Sequence, residues 1–337
     1  MVVQQEASSG ARNPSRPLVV VFDPVGWRIP SWSYEIERKV LEANGVDLVV
    51  PANEADAAEA IRNADVVIAT GAGERVAAAH MATMRRCVGL ICASIGMNQV
   101  DPDAAQVAGI PVANVPFCVD EVSDHAVMLL LMAERRGATF ATWTAEGSWN
   151  VAETPEYTQI HRLRGRTVGI IGTGRIGKQV ARKVRVFGYR TLGNDPNVPD
   201  PGDPDLEMTT LEDLMRRSDA VITCPDLNPT SRNIIGRHSL AHVRPDTILV
   251  NIARGGLVDE AALAEALRDG RILVAGLDVR NPEPPDPAND PLAEFLPRLI
   301  LTPHMAGASI EAREALHTMT ADTALRMLQA AGRITAA

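Results

Sequence analysis

The sequence has few cysteines, no excess of positive charge and no long hydrophobic run. Its cysteines form no CxxC pair and stand at no zinc-finger spacing from a histidine, so we expect reduced thiols in a cytoplasmic protein and no metal site. The four are Cys87, Cys92, Cys118 and Cys224. Lys and Arg number 33 against 42 Asp and Glu, a net charge of −9. That balance argues against nucleic acid or an anionic membrane as the main partner.

The longest apolar run, residues 126–133, is too short to span a membrane. The N-terminal residues lack the apolar core of a signal peptide, and we expect residues 1–16 to be a disordered leader. The chain is 46% hydrophobic and 22% charged, which is typical of a globular protein. Its length of 337 residues favours two domains.

Short apolar runs typical of strands alternate with helical patterns along the chain, which predicts βαβ units and mainly parallel sheets. We predict an α/β protein of two Rossmann-like or flavodoxin-like domains with a cleft between them. The first domain would comprise residues 17–115 with 308–337, and the second residues 116–307. A long helix, predicted from Asp120 to about Ala145, is apolar on nearly all sides and would help to form a homodimer. We expect Trp149 to pack at a domain or subunit junction.

A glycine motif lies halfway along the chain, directly after the apolar run VGIIG and before a helical pattern. In this G-x-G-x-x-G, Gly172 allows a tight turn, Gly174 lets the backbone approach a pyrophosphate, and Gly177 lets the helix pack closely on the strand. The next strand ends at Asp195, whose carboxylate can accept hydrogen bonds from the ribose hydroxyls. Pro196 follows rather than an Arg, so we predict NAD rather than NADP.

Three later segments carry ionisable side chains just after predicted strands. They contain Arg254, then Asp278 and Glu283, then His304. Ligands of open α/β sheets bind outside the carboxyl ends of the strands. We therefore expect these four side chains to converge near the nicotinamide.

With these motifs the chain resembles the D-isomer-specific 2-hydroxyacid dehydrogenase family, from about Val88 to Gly307. The segment from Ile95 to Asp101 (IGMNQVD) is similar to phosphoglycerate dehydrogenases, and that from Cys118 to His125 (CVDEVSDH) to the C-terminal-binding-protein branch. The resemblance implies an NAD-dependent oxidoreductase that moves a hydride between the cofactor and a small 2-hydroxy or 2-keto acid. The first predicted domain (17–115 with 308–337) would then be the substrate domain, and the second (116–307) the NAD-binding domain.

The resemblance implies that Arg254, Glu283 and His304 form a catalytic triad, and chemistry agrees with each role. A guanidinium offers a fork of donors to the substrate's carboxylate and carbonyl. An imidazole can give or take the proton near neutral pH, and a neighbouring carboxylate orients it.

The same resemblance implies further contacts with cofactor and substrate. Arg175 and Ile176 would contact the pyrophosphate, Ile252, Ala253 and Arg254 the nicotinamide side, and Asp278 the carboxamide. Residues His304 to Gly307 would close the cofactor pocket, and the backbone amides of Ile95 and Gly96 would bind the substrate carboxylate.

Some segments depart from the family pattern. Cys224-Pro-Asp-Leu-Asn replaces the usual His, one residue and Pro-Leu-Thr; it would lie near a ribose, with Cys224 as a cofactor contact rather than a nucleophile. The loop Gly26–Trp32 could shape the substrate pocket or lie on the surface, and Arg75 could bind an anionic substrate tail. We expect His125 to serve in packing and His161, His238 and His242 to lie on the surface.

Two alternative functions stay open: an NAD-sensing co-repressor-like binding protein, and a phosphonate or phosphorus-acid dehydrogenase.

Overall fold

The structure, a computed structural model, describes residues 15–23, 33–70, 75–149 and 154–335. The chain divides into two compact units. The first comprises Met1–Phe117 and Ile310–Ala337, and the second comprises Cys118–Ser309. The assignment of the first to substrate and the second to NAD stays a prediction at this level.

The first unit contains a five-stranded parallel sheet in the order β2-β1-β3-β4-β5. Its strands are β1 (Leu18–Phe22), β2 (Asp47–Val49), β3 (Val66–Ala69), β4 (Gly89–Cys92) and β5 (Val112–Asn114). Its helices are α1 (Glu35–Ala43), α2 (Glu54–Ala60), α3 (Ala78–Met81), α4 (Pro102–Ala108) and α11 (Ile310–Ala330).

The core of the first unit lies on both faces of this sheet. Every residue of β1 (LVVVF) is buried, as expected of a strand in a parallel sheet covered on both sides. The C-terminal helix α11 packs closely on β4, because a Cβ added at Gly89 would lie 2.2 Å from Met327 Sδ. The buried Asp65 carboxylate accepts hydrogen bonds from Leu18 N at 2.8 Å and from Arg86 at 3.0 Å, so its charge is paired.

The second unit contains a seven-stranded parallel sheet in the order β12-β11-β10-β9-β6-β7-β8. Its strands are β6 (Thr167–Ile171), β7 (Arg190–Asn194), β8 (Leu206–Met208), β9 (Ala220–Thr223), β10 (Thr247–Asn251), β11 (Ile272–Leu277) and β12 (Leu299–Leu301). Its helices are α5 (Val119–Glu134), α6 (Gly137–Ala145), α7 (Arg175–Val186), α8 (Leu211–Arg217), α9 (Arg237–Leu240) and α10 (Glu260–Arg268). The strand order reverses at β6, which is where ligands bind in such sheets. The two parallel sheets confirm the predicted α/β class.

The expected long helix is two helices. It breaks after α5, because Arg136 adopts a left-handed backbone with φ of +52° and starts α6 in a new direction. The buried Arg136 guanidinium donates to Gln159 Oε1 at 3.0 Å. Helix α5 itself is buried as expected: Leu129 contacts Gly276 of β11 so closely that a Cβ there would lie 3.1 Å from it. Trp149 is 86% exposed.

Other differences are small. Helix α3 covers only Ala78–Met81, and Val76 just before it pairs with Val100 in an isolated bridge. The sequence patterns did not indicate β8 or α9. The loop Gly26–Trp32 lies outside the described residues. No helix in the described ranges combines the length and the apolar character that crossing a bilayer requires.

Candidate active site and dinucleotide loop

The glycine loop connects β6 to α7 at the point where the strand order reverses. Gly172 has a φ of +86°, and a Cβ there would lie 2.6 Å from Pro225 N. At Gly177 a Cβ would lie 2.0 Å from Gly172 O. Side chains are thus excluded at both positions, by backbone rather than by flexible neighbours. A Cβ at Gly174 would have no atom within 4 Å, so the loop is open to solvent there.

This open position suits a pyrophosphate. Gly174 is the N-cap of α7, whose first turn carries no acidic side chain. The first N–H groups of a helix lack partners within the helix and carry the positive end of its dipole, so an anion is stabilised there. Arg175 is exposed beside them and Ile176 is half-buried. The loop therefore fits the diphosphate of a dinucleotide.

Asp195 follows β7 and faces the glycine loop. Its Oδ2 accepts a hydrogen bond from Thr173 N at 2.9 Å, and its Oδ1 accepts one from Asn197 N at 2.9 Å. These two bonds fix the carboxylate in place. Each carboxylate oxygen can accept further hydrogen bonds, so the group can still bind ribose hydroxyls.

Cys224 follows β9, the strand beside β6. Its backbone N–H donates to Ile171 O at 2.7 Å, which fixes it at the strand end. Burial raises the pKa of the Cys224 thiol to about 12, so the thiol is neutral near neutral pH. A neutral thiol can pack against a ribose or base without repelling a phosphate.

Arg254 lies in the loop after β10, and the buried Asn251 shapes that loop. The Asn251 side chain donates to Arg254 O at 3.0 Å and accepts from Ala253 N at 3.1 Å. Burial lowers the pKa of Arg254, and the charges of Asp226 and Glu283 oppose that shift. The Arg254 guanidinium donates to Ala253 O at 2.6 Å, within electrostatic range of the Glu283 carboxylate.

The loop of Arg254 is locked against the loop after β11. A Cβ at Gly255 would lie 1.8 Å from Arg280 O, so only glycine fits. Arg280 is buried and binds the carboxylates of Glu260 and Asp290 at 2.8 and 2.7 Å. Its backbone N–H donates to Glu283 Oε1 at 3.1 Å. These contacts position Arg254 and Glu283 relative to each other.

Asp278, at the end of β11, holds the turn that carries His304. Its buried carboxylate accepts from Thr302 Oγ1 at 2.6 Å and from the N–H groups of Met305 and Ala306 at 2.9 Å each. The Asp278 carbonyl accepts from His304 N at 2.8 Å. His304 has a φ of +51°, an uncommon backbone for a residue other than glycine, and these bonds maintain it.

His125, on α5, lies beside Asp278 and Thr302. Its Nε2 is hydrogen-bonded to Thr302 Oγ1 at 2.9 Å and lies 3.5 Å from Asp278 Oδ1. The sequence indicated a packing role for His125 and no role for the Thr302 hydroxyl. Only the folded sheet brings these residues, 177 positions apart, together.

His304 pairs with Glu283, whose charge also acts on Arg254. His304 Nδ1 lies 2.9 Å from Glu283 Oε2, with 45% of the imidazole and 37% of the carboxylate exposed. Because a carboxylate only accepts hydrogen bonds, Nδ1 donates and Nε2 is the nitrogen that can exchange a proton. The pair can exchange a proton in the electrostatic range of the half-buried Arg254 cation.

The other predicted site residues lie in two places. In the second unit, Ile252 is buried beside Arg254 in sequence, and Gly307 packs so closely that a Cβ would lie 2.8 Å from Cys118 Sγ.

In the first unit, Ile95 and Gly96 form a turn after β4. Their carbonyl oxygens accept hydrogen bonds from Asn114 Nδ2 at 2.5 Å and Ser94 Oγ at 2.6 Å. Arg75 is paired with Asp101 at 3.4 Å.

The glycine loop and Asp195 at the sheet's reversal point define a Rossmann-type dinucleotide-binding unit. Residues 127–306 match the family model described as "D-isomer specific 2-hydroxyacid dehydrogenase, NAD binding domain". The chain belongs to this family, as its sequence motifs indicated, and carries the family's NAD-binding domain.

Curated relatives agree with this assignment. The chain is 32% identical to D-3-phosphoglycerate dehydrogenase of Methanocaldococcus jannaschii over 316 residues, 92% of this chain but 57% of that protein. It is 37% identical to glycerate dehydrogenase of Methylorubrum extorquens over 233 residues, 68% of this chain and 72% of that protein. The chain thus spans little more than half the length of the first relative.

Solved structures share the fold along nearly the whole chain. The NAD-dependent formate dehydrogenase of Staphylococcus aureus, solved with NAD, superposes with a TM-score of 0.76 at 26% identity, covering 93% of this chain and 96% of that one. A glyoxylate reductase from Paecilomyes thermophila superposes with a TM-score of 0.81 at 24% identity, covering 95% and 97%; this likeness concerns the fold alone.

Proposed function

We propose that the chain is an NAD-dependent D-2-hydroxyacid dehydrogenase that oxidises a small 2-hydroxy acid, or reduces the matching 2-keto acid, reversibly. The observation that carries the proposal is the pairing of His304 with Glu283, whose charge also acts on Arg254, in the unit that carries the dinucleotide loop. Names of the relatives support the reaction class, since they include glycerate dehydrogenase and glyoxylate reductase.

The proposed roles follow from the chemistry of the three side chains. When bound, NAD supplies the hydride acceptor or donor at C4 of its nicotinamide ring. In oxidation, His304 Nε2 takes the proton of the substrate hydroxyl as hydride leaves C2; in reduction it returns that proton to the carbonyl oxygen. Arg254 binds the substrate carboxylate and polarises the C2 oxygen. Glu283 accepts from Nδ1 and stabilises the protonated ring.

Further roles in binding are part of the proposal. The amides of Ile95 and Gly96 bind the substrate carboxylate, and Asp278 and Gly307 belong to the nicotinamide end of the cofactor site. The bonds that hold the carbonyl oxygens of Ile95 and Gly96 inside the first unit support a fixed orientation of this turn. The first unit would thus be the substrate domain, and the second the NAD-binding domain.

The decisive experiment is a substrate panel followed by the absorbance of NADH. Glyoxylate, hydroxypyruvate, pyruvate, 3-phosphohydroxypyruvate and longer 2-keto acids are each reduced with NADH and with NADPH. We expect saturable turnover of at least one 2-keto acid. Binding of NADH without turnover of any of them would contradict the proposal and favour a nucleotide-sensing protein. Phosphite and phosphonates in the same panel test phosphorus-acid oxidation.

Asp195 is proposed to select NAD over NADP. Its carboxylate would accept hydrogen bonds from the ribose hydroxyls and repel a 2′-phosphate. In Asp195→Ala we expect the KM for NADH to rise about 10-fold and the ratio of the KM values for NADPH and NADH to fall. Asp200→Ala, in the loop that follows, serves as control. An unchanged ratio would remove Asp195 from cofactor selection.

We also propose that the chain forms a homodimer through α6. This helix (GATFATWTA) buries none of its residues within the chain although it is largely apolar, and Phe140 and Trp143 pack edge to face on it. Light scattering after gel filtration should give twice the mass of one chain. Trp143→Glu should give a monomer, whereas Thr142→Glu on the same helix serves as a charge control.

A cytoplasmic location is part of the proposal. All four cysteines are free thiols rather than disulfides, as suits a reducing compartment. Fractionation of the source cells, with antibody detection, tests this location. Recovery in the membrane or secreted fraction would contradict it.

A further inference from the structure

Two histidines and a glutamate meet on the second unit. Glu212 lies on α8, His238 on α9 and His242 just beyond it. His238 Nε2 and His242 Nε2 lie 3.5 and 4.0 Å from Glu212 Oε1. In the part of the chain that the structure describes, this is the one set of three His, Cys, Asp or Glu residues whose ligand atoms all lie within 4.8 Å of one another.

The local fold presents these three side chains together. Thr210 caps α8 by accepting from Asp213 N at 3.2 Å, which puts Glu212 in the first turn. The Ser239 hydroxyl donates to Ile234 O and accepts from Gly236 N, which fixes the start of α9. The turn continues beyond α9, because Ala241 N donates to the Arg237 carbonyl and His242 N to the Ser239 carbonyl. Positions four apart in a helical turn share one face, so both imidazoles face α8.

Two arginines on the same helices pair with carboxylates other than Glu212. Arg216 is paired with Asp213, and Arg237 with Glu265 at 2.5 Å. The Glu212 carboxylate faces the two imidazoles instead. The rings of His238 and His242 meet edge to face, with centroids 5.2 Å apart, so their Nε2 atoms point to the same region.

We propose that Glu212, His238 and His242 bind one divalent transition-metal ion, with Zn²⁺ as the best match and water completing its coordination. Two neutral imidazoles and one carboxylate are a ligand set that Zn²⁺ favours, with bonds of about 2.0–2.2 Å. Such bonds place ligand atoms roughly 3.3 Å apart, so the side chains close by about 1 Å on binding. The His238 side chain is 81% exposed and can rotate without disturbing the core.

Metal binding links α8 to α9. Helix α9 follows the loop that begins with Cys224 at the end of β9, so the ion would restrain the far end of a segment proposed to contact the cofactor. Because the ion binds only the folded arrangement, it stabilises the unit and raises its Tm.

The test is calorimetric titration of the tag-free, metal-depleted chain with Zn²⁺ near neutral pH. We expect one Zn²⁺ per chain at this site with a Kd in the micromolar range, and at least about 10-fold weaker binding in His238→Gln, His242→Gln and Glu212→Gln. His161→Gln removes an exposed histidine elsewhere on the second unit and should bind as the wild type does. Equal affinity in the wild type and in His238→Gln would overturn the proposal.

The His304–Glu283 pair can also take Zn²⁺, so the titration is repeated on His304→Asn. Retention of the site in that variant supports the proposal, and its loss there would assign the metal to the catalytic pair instead. Thermal unfolding gives a second readout that needs no activity. Zn²⁺ should raise the Tm of the wild type by a few degrees and leave that of His242→Gln unchanged. No shift in the wild type would contradict the inferred link between α8 and α9.

Discussion

Two of the histidine–glutamate pairs in the described part of the chain have similar geometry but different surroundings. His304 Nδ1 lies 2.9 Å from Glu283 Oε2, and His317 Nδ1 lies 2.6 Å from Glu37 Oε1. The first pair is 45% and 37% exposed and joins two loops after neighbouring strands. The second pair is 9% and 2% exposed and joins α11 to α1, with Tyr34 packed edge to face on the His317 ring.

The difference in exposure, rather than the pairing itself, is what suits the first pair to the proposed proton transfer. A proton-transfer group must reach its substrate, whereas a buried pair of this kind ties helices together. The strained backbone also distinguishes the pairs: His304 has a positive φ, while His317 lies within the regular helix α11. The predictions below test this contrast, from the largest effect to the smallest.

Removing the exposed imidazole should have the largest effect. In His304→Asn we expect kcat to fall about 10³-fold, because general acid–base catalysis contributes 10²–10⁴-fold. NADH affinity, measured by the fluorescence of NADH, should stay within about 2-fold of wild type, because the glycine loop rather than the His304 imidazole is proposed to bind the dinucleotide. His161→Asn is the matched control. A kcat within about 3-fold of wild type would exclude His304 as the acid–base group.

Replacing the half-buried guanidinium of Arg254 should come next. In Arg254→Lys the charge remains but the planar fork of donors is lost. We expect kcat/KM for the 2-keto acid to fall about 10²-fold, equivalent to about 2.7 kcal/mol. Arg268→Lys, at an exposed ion pair with Glu294, should leave kcat/KM unchanged. Equal activity of both variants would mean that Arg254 does not bind substrate.

Glu283 should act through His304. In Glu283→Gln we expect kcat to fall about 10–100-fold, because the amide stabilises a protonated ring less well than a carboxylate does. Added to His304→Asn, the Glu283→Gln substitution should lower kcat by a much smaller factor than it does in the wild type. Independent, multiplicative losses in the double variant would contradict a shared role.

Breaking the buried pair should affect stability and not catalysis. Glu37→Leu leaves the His317 imidazole without its carboxylate partner, which we expect to cost about 1–3 kcal/mol of unfolding free energy. The kcat should stay within about 2-fold of wild type. Glu35→Leu, at an exposed position on α1, is the control, and denaturant titration is the measurement. A large loss of kcat in folded Glu37→Leu would end the distinction between the pairs.

Local patterns were sufficient for most of the fold. Continuous apolar runs marked β1 and β6, and the glycine spacing located the α7 N-terminus, because these signals depend on neighbours in sequence. The break between α5 and α6 was missed because Arg136, rather than Gly or Pro, adopts the left-handed turn. Strand β8 was missed because three residues carry too little periodicity to recognise.

The sequence predicted the groups of the proposed site but not the contacts that support them. Arg254, Glu283 and His304 each follow a strand within six residues, so topology brings them to one edge of the sheet. The contact of His125 with Thr302 spans 177 positions, and the meeting of Glu212 with His238 and His242 joins separate helices. Such contacts have no spacing signature, since they depend on how strands and helices pack.

The packing of Gly255 against Arg280 O makes the two loops a single mechanical part. Any side chain at Gly255 would push the Glu283 segment away and carry Arg254 with it. Redesign of substrate preference by grafting one of these loops from a relative would therefore fail unless its counterpart were transplanted as well.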